Sequence, residues 1–256
     1  MPSFLWDAGS RLLNDVGVWR ELGAEGVRAV RDARRAPPDG TLTTFAARSL
    51  QHPFSVRRGT TDVSEFVHTV CRRTYATGLP GDARTILDLG ANIGDTAAWL
   101  LSRYPNATVI SVEPDPDNYA LAATNLAPYG ARAVLRRGAI WSEDGEVSLL
   151  SNKGWPSGSH VGDGDATVRV PAVSIPSLLR AHHVGDIDIL KCDIEGAEER
   201  VFADDPDPWL SRTRVLCIEI HSPSAQAVVD AATARCGFRR GVLHRDVMVF
   251  MRPRGA

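Results

Sequence analysis

Two groups of residues in this 256-residue chain have types and spacings that could do chemistry. The first is Asp88, Gly90, Asn92, Gly94 and Thr96, in Thr85-Ile-Leu-Asp-Leu-Gly-Ala-Asn-Ile-Gly-Asp-Thr96, with Glu113 closing Val109-Ile-Ser-Val-Glu113. Glycines after an apolar strand let a ligand approach the backbone closely. A carboxylate ending the next strand can accept hydrogen bonds from both hydroxyls of a ribose, so this group reads as a nucleoside site. The second group is Asp193 and Glu195, in Lys191-Cys-Asp-Ile-Glu-Gly-Ala-Glu198, with Glu219 and His221, in Cys217-Ile-Glu-Ile-His221. Carboxylates here could hold an ammonium, position a substrate hydroxyl or bind a divalent cation; Glu195 could equally cap a helix dipole. A histidine titrating near neutrality can take a proton from a hydroxyl. His221 is the leading base candidate and His160 the second, each with a purely structural reading beside it.

The glycine spacing narrows the nucleoside. A dinucleotide site needs G-x-G-x-x-G, but Gly90 and Gly94 stand four apart with no third glycine at the right offset, and no Gly-Lys-Ser/Thr follows to make a P-loop. The pattern D-x-G-x-N-x-G-D-T resembles motif I of S-adenosylmethionine (SAM) methyltransferases. The plain alternative is an ordinary βαβ turn of some other α/β enzyme.

These residues must be held by an alternation of strands and helices. Strands are expected at Thr85–Leu89, Thr108–Glu113, Ala133–Ile140, Ile187–Asp193 and Val215–Ile220. Apolar stripes at helical spacing lie between them, such as Ala97, Leu101 and Tyr104, or Ala225, Val228, Val229 and Ala232. Such alternation implies an α/β fold, a doubly wound, mostly parallel sheet with helices on both faces. After Gly237, two strand-like runs, Phe238–His244 and Val247–Met251, are joined too tightly for a crossover and make an antiparallel hairpin. That completes a seven-stranded sheet of the Rossmann-like kind. Residues 151–160, rich in Gly, Ser and Pro, read as a loop able to reach the ligand edge. Upstream, residues 3–35 read as a helix with Leu5, Leu12, Val16 and Trp19 on one face, and Ser64–Tyr75 as another. The expected division is a helical arm or lid over residues 1–83 and a core over 84–256.

Composition excludes some classes. A net charge of −2 gives no reason to expect nucleic acid as a partner, and the arginine pairs are scattered. The four cysteines form no C-x-x-C pair, so neither a zinc site nor a disulfide framework is expected, and the default compartment is the reducing cytoplasm. No apolar run approaches a membrane span, and no signal peptide is read at the N-terminus.

Taken together, Asp88–Thr96, Glu113-Pro114, Gly138-Ala-Ile-Trp-Ser-Glu-Asp-Gly145, Leu190–Glu198 and Glu219-Ile-His221 resemble the FkbM-type SAM-dependent methyltransferases. Arg57-Arg-Gly-Thr-Thr-Asp62 is similar to an upstream segment of that family. The resemblance implies a class I methyltransferase fold and methyl transfer from SAM to a hydroxyl of a sugar or secondary metabolite, leaving S-adenosylhomocysteine. It implies that Asp88, Gly90, Asn92, Gly94 and Thr96 line the methionine end of the cofactor. Glu113 would bind the ribose, Ala139 and Ile140 flank the adenine, and Asp193 sit near the amino group. Ile140-Trp141-Ser142 departs from the valine-serine-aspartate run of many members, which leaves the adenine contacts open. The transfer is expected to be an SN2 displacement with His221 as base and Asp193 and Glu195 positioning the acceptor. The rival is assistance by Mg²⁺ gathered by Asp193, Glu195, Glu219 and His221. Asp-Ile-Glu-Gly after the fourth strand, where amine methylases carry Asn/Asp-Pro-Pro-Tyr, favours oxygen. A methyltransferase of RNA or protein, a nicotinamide oxidoreductase and a non-catalytic binding module stay open beside it. So does dimerisation through the N-terminal arm.

Overall fold

The computed structural model of the chain describes residues 4–150, 160–162, 168–244 and 246–253. In chain order, helix α1 (Phe4–Arg35) leads to a hairpin of β1 (Leu42–Phe45) and β2 (Phe54–Arg57). Helix α2 (Asp62–Phe66) then runs on as a π-helical stretch over Val67–Cys71. The alternation begins with β3 (Thr85–Leu89), α3 (Asp95–Arg103), β4 (Thr108–Glu113), α4 (Pro116–Leu126) and β5 (Ala133–Arg137). Four short strands follow: β6 (Ala139–Ile140), β7 (Gly145–Leu150), β8 (His160–Gly162) and β9 (Val168–Val173). The chain then continues through α5 (Ile175–Ala181), β10 (Ile187–Cys192), α6 (Glu198–Ala203), α7 (Asp207–Leu210), β11 (Thr213–Glu219), α8 (Pro223–Arg235), β12 (Arg239–His244) and β13 (Val247–Met251).

The central sheet has seven strands in the order β12-β13-β11-β10-β3-β4-β5. β13 runs antiparallel to both its neighbours, and the pairs from β11 through β5 are parallel. The expected doubly wound sheet with a C-terminal hairpin is therefore present. Local chemistry starts several of its helices. Asp115 caps α4 by accepting from the N–H groups of Asp117 and Asn118, while Ser174 and Ser222 cap α5 and α8, each with a proline in the first turn.

Strand parity decides which residues can meet. Ile86, Val109, Ile189, Val215 and Val249 point into one apolar layer, shared with the segments before β3. Leu87, Ile110, Leu190, Leu216 and Phe250 point into the other, under α5 to α8. Side chains alternate along a strand, so Asp88, Glu113, Lys191 and Glu219 fall on the first face, at or near the carboxyl ends of their strands. Residues 42–71 cover that face, so the upstream segments stand over the chemistry.

Four expectations change. Ala133–Ile140 is two strands, because the chain leaves the central sheet at Gly138 and β6 pairs with β9. A side chain at Gly138 would press on Val173 and the Pro171 carbonyl. The expected loop between β5 and β10 contributes to a second sheet, ordered β6-β9-β7-β8; residues 151–159 lie outside those described. The helix expected through Tyr75 ends at Cys71, and the chain turns at Arg73 in the left-handed region (φ 54). Finally, α1 packs through Val18, Val30 and Ala33, whereas Val16 and Trp19 remain 57% and 60% exposed. The side chains of Leu5 and Leu12 lie outside those described. Glu21, buried on α1, accepts from the Ser49 N–H and from Arg73, fastening the helix to the segments beneath it. Among the described residues, no helix is long and apolar enough to cross a membrane.

Candidate active site

The turn after β3 depends on backbone conformations that few residues adopt. Gly90 (φ 81) passes so close to Asp193 that a Cβ would overlap the Asp193 carbonyl oxygen. The N–H groups of Gly90 and Ala91 donate to the Val112 carbonyl at 3.1 and 2.9 Å, tying the turn to β4. Asn92 takes a left-handed conformation (φ 49), which directs its own N–H to Glu113 Oε2 at 2.7 Å. The Asp115 N–H donates to Glu113 Oε1 at 2.9 Å. Both oxygens of Glu113 are thus fixed by main chain, and burial pushes its carboxyl up to about 8 against those two donors.

Beneath the turn lies a buried ion cluster. Lys191, on β10, reaches Asp88 Oδ1 at 3.4 Å and donates to the carbonyls of Gly90 and Leu89. Ser111 donates to Asp88 Oδ2 at 3.3 Å. Burial drives the Asp88 carboxyl upward. For Lys191, burial acts downward, but Asp88, Asp193 and Asp95 outweigh it and hold the ammonium charged.

A cleft of about 820 Å³, counting its open mouth, runs over this turn. It is lined by Glu113, Pro114, Asn118, Ala139 and Ile140 from β4 onward, by Gly90 and Asn92 of the turn, by Asp193, Glu195 and Glu219 after β10 and on β11 on the other side in the strand order, and by Glu65 of α2. Six of the nine positions expected to hold the cofactor therefore face it: Gly90, Asn92, Glu113, Ala139, Ile140 and Asp193. The other three stand behind. Asp88 is under the turn, Gly94 packs on Leu126 and Ala122 of α4, and Thr96 is buried in the first turn of α3.

His221 lies just past β11. Its Nδ1 is 2.8 Å from Glu198 Oε1, and Glu198 is fully buried at the start of α6. Its Nε2 faces three carboxylates: Glu195 at 3.5 Å, Asp193 at 3.9 Å and Glu219 at 3.9 Å. The hydrogen bond to Glu198, joined by the charges of Asp193 and Glu195, lifts His221 to about 9 although burial opposes it. The ring therefore carries a proton at neutral pH. Burial and neighbouring acids push Glu219 up to about 7 and raise Glu195, which sits in the left-handed region (φ 51). Asp193 Oδ1 and Asn92 Oδ1 are buried without a hydrogen-bond partner, so two acceptors at the cleft still lack donors. The ligand atoms of Asp193, Glu195 and His221 lie within 4.8 Å of one another. His160 starts β8 and pairs with Leu150 in β7, but its side chain lies outside those described.

Four residues of this neighbourhood were not singled out from the sequence. Lys191 had a usable signal, a lysine inside an apolar strand. Glu198 and Asn118 sit in short helical runs whose polar residues look solvent-facing. Glu65 comes from an element far upstream.

A family model described as the methyltransferase FkbM domain matches residues 88–255. The hexuronic acid methyltransferase AglP of Haloferax volcanii is 22% identical over 196 residues, covering 76% of this chain and 77% of that one. Methyltransferase 1 of Beauveria bassiana is 24% identical over 171 residues, covering 57% of this chain and 69% of that one. Among solved structures, the methyltransferase FkbM from Methylobacillus flagellatus KT aligns with a TM-score of 0.49 and 15% identity, covering 91% of this chain and 60% of that one.

Proposed function

The chain belongs to the FkbM methyltransferase family, and on that premise we propose that it transfers the methyl group of SAM to a hydroxyl of a small sugar or secondary-metabolite acceptor, leaving S-adenosylhomocysteine. The observation that carries this reading is Glu113, a buried carboxylate held at both oxygens by main-chain donors and facing the cleft beside Gly90. SAM supplies a methyl already activated by a positive sulfur, so the chain must bind, orient and manage one proton.

In this reading Glu113 takes the two ribose hydroxyls, and Ala139 and Ile140 flank the adenine. The bare oxygen of Asp193 accepts from the methionine ammonium. Asp88, Gly94 and Thr96 act from behind by shaping the turn. His221, charged at neutral pH, holds Asp193, Glu195 and Glu219 in one array and sets the electrostatics where the acceptor enters. Its neutral form, the one that could take the acceptor's proton, predominates only above about pH 9. Near neutrality the proton goes to a carboxylate. A hexuronic acid methyltransferase among the relatives supports a sugar-like acceptor.

The donor set of Asp193, Glu195 and His221 supports a second reading, in which these three residues would hold a Mg²⁺ whose charge would ease loss of the acceptor's proton. Activity equal in EDTA and in Mg²⁺ removes it. Residues 1–83 serve as an arm over a core of 84–256, with the exposed Trp19 and Val16 available for self-association; the mass in solution tests that. The four free thiols fit a reducing cytoplasm.

The test is incubation with methyl-labelled SAM and a fractionated small-molecule extract of the source organism. The reading expects a labelled methyl ether. Label on nitrogen, nucleic acid or protein contradicts it.

A further inference from the structure

Glu65 enters the cleft from α2, the upstream element, and faces the acids that come from the sheet. Its situation differs from theirs. Asp193 contacts Lys191 and His221, and Glu195 and Glu219 contact His221. The Glu65 carboxylate makes no hydrogen bond or ion pair among the described residues. It lines the same cleft as Glu113, Ala139 and Ile140, and the acids whose charges act on it most are Asp95, Asp193 and Glu219. A half-buried carboxylate without a partner among the described residues, on a wall of a ligand cleft, costs free energy unless a cation or a hydrogen-bond donor arrives.

Building on the methyltransferase reading, we propose that Glu65 is a catalytic residue: it faces the reacting sulfonium, favours SAM over S-adenosylhomocysteine, and receives the proton of the acceptor hydroxyl. The acceptor oxygen forms a bond to the methyl carbon as the carbon–sulfur bond breaks. The bonding pair stays on sulfur, leaving a neutral thioether, and the hydroxyl proton passes to the Glu65 carboxylate. Electrostatics agree with that geometry. Burial, with the charges of Asp95, Asp193 and Glu219, pushes Glu65 up to about 8, and Lys191 acts in the opposite direction. A positive sulfur nearby favours the ionised form, so the cofactor itself readies the base.

The experiment is calorimetric titration of the full chain with SAM and with S-adenosylhomocysteine, in EDTA at pH 7.5, using two buffers of different ionisation enthalpy. Wild type, Glu65→Gln and Glu65→Asp are compared, with thermal melts confirming that each is folded. The two ligands share the ammonium and differ by the charged methyl. Glu65→Gln should weaken SAM about tenfold and change the other ligand less than about twofold, as expected for loss of one short-range charge contact. The proton released on SAM binding should fall by about half a proton, from the linkage between binding and ionisation. Glu65→Asp should keep part of both effects. An equal loss for both ligands would place Glu65 on the methionine tail and overturn the proposal; so would no change for either. Failure of wild type to bind SAM at all would instead remove the methyltransferase reading beneath it.

Discussion

The two sides of the cleft are built from different materials. On the β4 side, Glu113 is held by main-chain N–H groups at 2.7 and 2.9 Å, one of them from a turn itself fixed by Gly90. On the β10 and β11 side, the carboxylates meet His221 only at 3.5 to 3.9 Å, and Glu65 meets no partner among the described residues. Main chain makes a rigid mould for a constant ligand. Side-chain charges make a surface whose affinity depends on pH and on which cation or hydroxyl arrives.

The sharpest way to break this contrast is Gly90→Ala. The added carbon meets the Asp193 carbonyl, and the backbone is left-handed there. We expect a loss of about 3 kcal/mol or more in urea unfolding. Glu113→Gln should weaken SAM by about tenfold or more, and because an amide accepts through one oxygen where the carboxyl accepts through two, it should also cost about 1–3 kcal/mol of stability; calorimetry and thermal melts read the two effects. Glu198→Gln should let His221 titrate well below about 9, toward the ordinary histidine value, as followed by the NMR signal of its ring.

Stability should also vary with pH, and the sign follows from the raised groups. Glu65 and Glu113 have folded values near 8, above their unfolded values, so the folded chain binds more protons. Their contribution is present below about pH 4.5 and is lost as pH rises through 8. His221 is also raised, so its contribution is complete below about pH 6.5 and lost through 9. Melting temperatures of the ligand-free protein should therefore fall from pH 5.5 to 9. The slope should flatten between 7 and 9 in Glu198→Gln.

The same contrast explains what could be read from the sequence. The Glu113 side is written in neighbouring residues, since a strand, Gly90, Asn92 and Glu113 follow in order and main chain does the rest. The sheet was legible because apolar alternation and the tight link between β12 and β13 are local signals. The His221 side was legible only in part. Glu219 and His221 are two residues apart, but Glu198, the partner that keeps His221 charged, comes from the helix after a different strand. Glu65 lies 154 positions before Glu219 and reaches the cleft because residues 42–71 fold over one face of the sheet. The second sheet was missed because its strands are short and interrupted by Gly, Ser and Pro.

The most direct test is titration of the purified, folded chain with SAM. The account predicts saturable binding at one site per chain, with Glu113→Gln reducing affinity at least tenfold in a variant that still melts cooperatively as a folded protein. A folded chain that takes up no SAM, or a Glu113→Gln variant that binds it as tightly as wild type, would contradict it.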